Sequence, residues 1–115
     1  MLLRITNIHQ RKKVIKLIIN STVNDNVCVL TVEGGIDTNT APQLEQAFRD
    51  NAENCEKMIF DLSKVDYISS AGLRVIVVAH REMEKKDGLI LKSLSKNVKS
   101  VIDLTGFNKA LNIEE

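Results

Sequence analysis

The stretch Met58–Leu73, MIFDLSKVDYISSAGL, decides how this chain is read. It opens on an apolar run, Met58-Ile59-Phe60. The strand this predicts reaches Leu62 and is apolar except for Asp61 at its carboxyl end, the pattern of a parallel strand covered on both faces. A polar connection is expected from Asp61 to Tyr67. Ser69-Ser70 then precede Ala71-Gly72-Leu73 and a helix expected over Ser70 to Lys86. Its apolar stripe is Leu73, Ile76, Val77, His80 and Met83, at helical spacing. Serines ahead of a helix accept free backbone N–H groups of the first turn. One hydroxyl therefore caps the helix and the other stands beside the cap at the surface. A helix N-terminus also tolerates negative charge, so a phosphate on that second hydroxyl would be accommodated.

Working outward, Val14 to Ile19 and Val27 to Val32 read as strands. Asn24-Asp25-Asn26 between them tolerates left-handed backbone, and the pair suggests an antiparallel hairpin. Gly34-Gly35 breaks the second run. Thr40-Ala41-Pro42-Gln43 reads as a helix start with a capping box, and Leu44, Ala47 and Phe48 face inward. Downstream, Asp87-Gly88 ends the second helix and Leu89-Ile90-Leu91 is a strand. Ser95 can cap a third helix with Val98, Val101 and Ile102 inward. Gly106 stops it, with Phe107 able to fold back on Ile102. Leu111 to Ile113 suits a short edge strand. The fold class is α/β: a mixed, mostly parallel sheet of four to five strands, with an N-terminal hairpin and three main helices.

The chain has 115 residues, 43% of them hydrophobic, which suits one domain with one core. Sixteen basic residues face 15 acidic ones and aromatics make up only 3%, so neither an electrostatic field nor stacking platforms favour direct nucleic-acid binding. No apolar run approaches the roughly 18 residues that insert across a bilayer. Arg4, Thr6 and Asn7 interrupt the N-terminal apolar residues, unlike a secretion signal. Both features point to the cytoplasm. Arg4, Arg11, Lys12 and Lys13 lie in an extension over residues 1–13, read as a solvated arm or an added edge strand from Leu2 to Ile8. Cys28 and Cys55 lack metal-ligand spacing and are expected as reduced thiols. His80, which no second His, Cys or acid cluster accompanies, is expected to pack structurally. There is no phosphate-cradling glycine loop, no nucleophile–base–acid set and no metal or cofactor motif. The chain reads as a binding module, not an enzyme.

Three segments carry a resemblance. Tyr67-Ile68-Ser69-Ser70-Ala71-Gly72-Leu73 resembles the phosphorylation-site motif of bacterial anti-sigma factor antagonists, the STAS domain family. Val32-Glu33-Gly34-Gly35-Ile36-Asp37 with Thr40-Ala41-Pro42-Gln43-Leu44 resembles that family's second strand, its Gly-x-apolar-Asp turn and its first helix. Leu104-Thr105-Gly106-Phe107 resembles its closing Leu-x-Gly-Phe. The motifs stand in family order from about Val14 to Ile113, which makes residues 14–115 a STAS-like domain.

The resemblance implies that Ser70 is the hydroxyl phosphorylated by an ATP-binding anti-sigma serine kinase, and that Asp37 contacts the partner. The implied partner surface is Asp37, Thr38, Ser69, Ser70, Ala71, Gly72 and Arg74. The unphosphorylated form would hold the kinase and so free a sigma factor, and a serine phosphatase would reset the switch. The same alignment puts Ser69 where many members carry Asp. Other readings are a STAS subunit bracing a membrane transporter, and a phospho-receiver module with Asp61 as acceptor. The receiver would need two acids where Asp37 offers one. The plainest alternative is a small α/β domain whose serines only cap.

Overall fold

The computed structural model describes residues 16–115. The expectations for residues 1–13, including a strand from Leu2 to Ile8 and a basic arm, lie outside the described residues. Strand β1 (Ile18–Asn24) runs antiparallel to β2 (Val27–Ile36). Asp25 and Asn26 turn the chain between them at φ 52° and 68°, the left-handed backbone that a two-residue hairpin with the right twist demands. Helix α1 (Ala41–Ala52) leads to β3 (Lys57–Ile68), α2 (Ser70–Met83) to β4 (Gly88–Lys92), and α3 (Lys96–Thr105) with a short 3-10 turn (Phe107–Lys109) to β5 (Asn112–Glu114). The five strands pair in sequence order, and every pair after the hairpin is parallel. Right-handed crossovers in a sheet ordered this way place the connecting helices on one face.

Side chains report that face directly. Cys28, Leu30 and Val32 of β2, Met58, Phe60 and Leu62 of β3, and Leu89 and Leu91 of β4 are fully buried. Their alternates Val29, Ile59, Asp61 and Ile90 are half-exposed. The expectation that β3 is covered on both faces is therefore corrected: among the described residues, its second face keeps partial contact with water. Phe48 of α1 meets Phe60 edge-on, with ring centroids 6.4 Å apart. Lys86, just beyond α2, donates to the carbonyls of Ala52 and Cys55 at 2.7 and 3.0 Å, satisfying backbone acceptors where α1 ends.

Several boundaries differ from expectation, each for a physical reason. The first described strand, Ile18–Asn24, runs past Ile19, where the expected strand ended, because β1 is the edge of the sheet among the described residues and its Asn20-Ser21-Thr22 can face water without losing pairing; Val14 and Ile15 of the expected strand lie outside the described residues. β2 continues through Gly34-Gly35 to Ile36, with Gly34 at φ 120°. The segment Asp61 to Tyr67, expected as a connection, is the second half of β3. Opposite Thr31, Glu33 and Gly35 stand Asp61, Lys64 and Tyr67, so twice over three residues of β3 face two of β2. Each bulge lengthens the inward step from two residues to three, and the buried residues become Phe60, Leu62, Val65 and Ile68. The second helix ends at Met83, with Gly88 at φ 102° only where β4 begins.

Cys28 and Cys55 are both free and buried. Burial, with Cys55 beside it, pushes the Cys28 thiol up to about 11, so it stays protonated and unreactive at neutral pH. His80 is buried on α2 with Nε2 3.3 Å from a carboxylate oxygen of Glu84, one turn on. Among the described residues no helix is long and apolar enough to cross a membrane.

Candidate partner-binding site

The two bulges of β3 deliver its end, Ile68, beside the end of β2, Ile36. The Ser69 N–H donates to the Ile36 carbonyl at 2.7 Å, tying the start of α2 to the loop that holds Asp37. Ser69 has extended backbone and its Oγ accepts the Gly72 N–H at 3.2 Å, so Ser69 is the cap. Ser70 is the first helical residue and is exposed, and its hydroxyl makes no hydrogen bond among the described residues. Ser69→Ala should cost about 1 kcal/mol of stability, measured by urea unfolding, and leave the Ser70 hydroxyl at the surface.

Gly72 lies beneath this surface. A Cβ there would stand 2.5 Å from Ile36 Cγ2, 2.9 Å from Ile68 Cγ1 and 3.0 Å from the Ile36 carbonyl oxygen. Only glycine lets the first turn of α2 sit down on the ends of β2 and β3. Gly72 thus supports the surface from below and presents no side chain to a partner. Ala71 is half-buried against the core, while Thr38 and Arg74 are exposed.

The Asp37 turn is built differently from the capping box expected at Thr40. Thr40 has near-helical backbone, and its side chain makes no cap bond to α1. Its Oγ1 instead donates to the Gly35 carbonyl at 2.7 Å and accepts the Asp37 N–H at 2.8 Å. Gln43 reaches away from the cap: its Oε1 accepts the Leu17 N–H at 2.9 Å. Asp37 Oδ1 accepts the N–H groups of Asn39 and Thr40 at 2.8 and 2.9 Å, as a carboxylate does in an Asx turn. The carboxylate of Asp37 thus holds the Thr40 N–H, one of the two donors of a Thr40–Gln43 box, and the other, the Gln43 N–H, goes to the Thr40 carbonyl at 2.9 Å. Asp37 Oδ2 has no hydrogen bond among the described residues.

The Thr40 N–H, foremost, and that of Asn39 hold the Asp37 carboxyl below the usual carboxylate range. A lowered folded pKa means that the turn is stabilised above the carboxyl's unfolded value and loses that stabilisation as pH falls through the folded one. The Asn39 and Thr40 amide resonances should therefore titrate in acid, and Asp37→Asn should abolish that titration. Amide signals that stay unchanged through the acid range would show that the carboxylate does not hold the turn.

Beside Ser70 a groove of about 310 Å³ opens between α2 and the turn after α3, lined by Ser70, Leu73, Arg74, Val77, Thr105 and Phe107. Gly106, at φ 82°, directs Phe107 into this wall. Leu104 beside it is 86% exposed. The sequence pattern does not show this groove: Leu73 and Val77 read as core stripe, and only their position opposite Phe107 makes them a wall. Asp61, the acceptor a receiver module would use, sits well short of the end of β3, where its Oδ1 accepts the Ser63 N–H at 3.0 Å.

The family model of the STAS domain matches residues 19–115. The chain is 32% identical over 85 residues to BtrV, a candidate anti-sigma factor antagonist of Bordetella bronchiseptica, covering 72% of this chain and 73% of that one. It is 31% identical over 91 residues to the anti-sigma-B factor antagonist of Bacillus subtilis, covering 78% of this chain and 84% of the relative. Among solved structures, an anti-sigma factor antagonist from Mycobacterium paratuberculosis superposes with a TM-score of 0.77 at 29% identity, over 85% of each chain.

Proposed function

The chain belongs to the STAS domain family of anti-sigma factor antagonists, and from that premise we propose that it is itself such an antagonist, switched by phosphorylation at Ser70. Unmodified, it binds an anti-sigma factor with serine-kinase activity and thereby frees a sigma factor. The observation that carries this reading is the division of labour between two adjacent serines. Ser69 holds the helix cap, and Ser70 is left exposed with a hydroxyl that has no partner among the described residues.

The chemistry needed from this chain is small. The Ser70 Oγ attacks the terminal phosphorus of ATP held by the kinase, ADP leaves, and the hydroxyl proton passes to a base on the kinase. The product carries about −1.5 to −2 charges where the surface was neutral. The N-terminus of α2 stabilises that charge, so the fold persists. The interface does not, because packing on the helix start is blocked and the phosphate would have to be desolvated. A phosphatase restores the hydroxyl. In this scheme the protein works in the cytoplasm, without catalytic residues, cofactor or DNA contact. Half-buried Asp37 and exposed Thr38 and Arg74 supply polar groups for the partner beside Ser70.

Incubation with the cognate kinase and ATP, followed by mass spectrometry, tests the assignment. Phosphate is expected on Ser70 alone, and none on folded Ser70→Ala. Labelling that persists in Ser70→Ala removes the site. Copurification of a transporter subunit in place of a kinase would favour the transporter-bracing role.

A further inference from the structure

Arg74 stands one turn beyond Ser70 on α2, and both line the groove against Phe107. Side chains four apart on a helix have Cβ atoms about 5–6 Å apart and meet readily, best when the anion is the N-terminal member. Other cations on these helices use that spacing. Arg49 pairs with Glu45 at 3.1 Å, and Lys99 with Asp103 at 3.1 Å. Arg74 pairs with no acid among the described residues. Its neighbours at that spacing are Val78 and Ser70, so the place an acid would take is held by a hydroxyl that is neutral until it is modified.

We propose that Arg74 is the receptor for the phosphate on Ser70, capturing it in cis across the mouth of the groove. This rests on the reading that Ser70 is the modified residue. The guanidinium fork matches two phosphate oxygens, which a lysine does not do. Captured there, the phosphoserine bridges the opening above Leu73, Val77 and Phe107 and withdraws the free cation from the surface. Phosphorylation then changes the shape and the charge of the docking face together.

The test uses the full chain with phosphoserine installed at position 70 by genetic encoding, so no kinase is needed. The second ionisation of the phosphate is followed by phosphorus NMR. Arg74→Gln should raise that pKa by about half a pH unit, the scale of one exposed ion pair. Arg81→Gln, farther along the same helix, should leave it where it was. The methyl resonances of Leu73 and Val77 should move on phosphorylation in the parent protein and much less in Arg74→Gln. An unchanged pKa in Arg74→Gln, or an equal shift in Arg81→Gln, overturns the capture. Because the phosphate is placed directly, failure of a kinase to label Ser70 would count against the proposed function and leave this result standing.

Discussion

Phosphorylated on Ser70, the protein is expected to bind its anti-sigma kinase about a hundredfold more weakly than the unmodified chain, and to melt at no lower temperature. The two halves of this expectation have separate causes. Nothing inside the domain depends on the Ser70 hydroxyl: Ser69 provides the cap and the Ser70 side chain is exposed. A negative charge at the first turn of α2 contributes about 0.3–1 kcal/mol in favour of the folded state. The loss is confined to the complex. A hundredfold change requires about 2.7 kcal/mol, within reach of a dianion that must shed water against a partner surface. Ser70→Asp carries half the charge and a shorter side chain, so about a tenfold loss is expected. Ser70→Ala should bind like the parent. Calorimetric titration of the four forms against the kinase, with melting curves in parallel, makes the comparison. A phosphoprotein that binds as tightly as the parent would end the switch; one that binds weakly but melts several degrees lower would place the damage in the fold.

Much of this arrangement is legible in the sequence wherever a local rule operates alone. The Asn24-Asp25-Asn26 turn, the caps at Ser69 and Ser95, and the left-handed stop at Gly106 each follow from the chemistry of one or two residues. What escapes is set by pairing between distant segments. Asp61 to Tyr67 carries no two-residue alternation, because its register against β2 slips twice, and only the partner strand reveals that Val65 and Ile68 point inward. Likewise Thr40 and Gln43 have the spacing of a capping box, yet the Asp37 N–H and the Gly35 carbonyl claim the Thr40 hydroxyl and the Leu17 N–H claims the Gln43 side chain. At the site itself, the adjacency of the Asp37 loop and Ser70 follows from the parallel order of β2 and β3. The groove does not, because Phe107 meets Leu73 and Val77 only through the third helix.

Gly72 puts that dependence on tertiary contact to a quantitative test. Replacing a glycine inside a helix by alanine normally gains about 1 kcal/mol. Here the added methyl would stand 2.5 Å from Ile36 Cγ2 and 3.0 Å from the Ile36 carbonyl oxygen. A side chain can turn aside, but that carbonyl accepts the Ser69 N–H and fixes the helix start, so the helix must lift. Overpacking of this kind costs about 3 kcal/mol, toward the upper end of its usual range. The net expectation for Gly72→Ala is a loss of about 2 kcal/mol, and a melting temperature lower by about 10 °C for a domain of this size. Gly35 is the internal comparison. Its Cβ would meet Tyr67 at an ordinary 3.8 Å, so Gly35→Ala should stay within about 0.5 kcal/mol of the parent. Lifting α2 also stretches the Ser69 bond to Ile36, which separates Ser70 from Asp37. Gly72→Ala should therefore lose kinase affinity even at temperatures where it is fully folded. If Gly72→Ala proves as stable as Gly35→Ala, the helix start is not seated on Ile36, and the surface built from Asp37 and Ser70 loses its foundation.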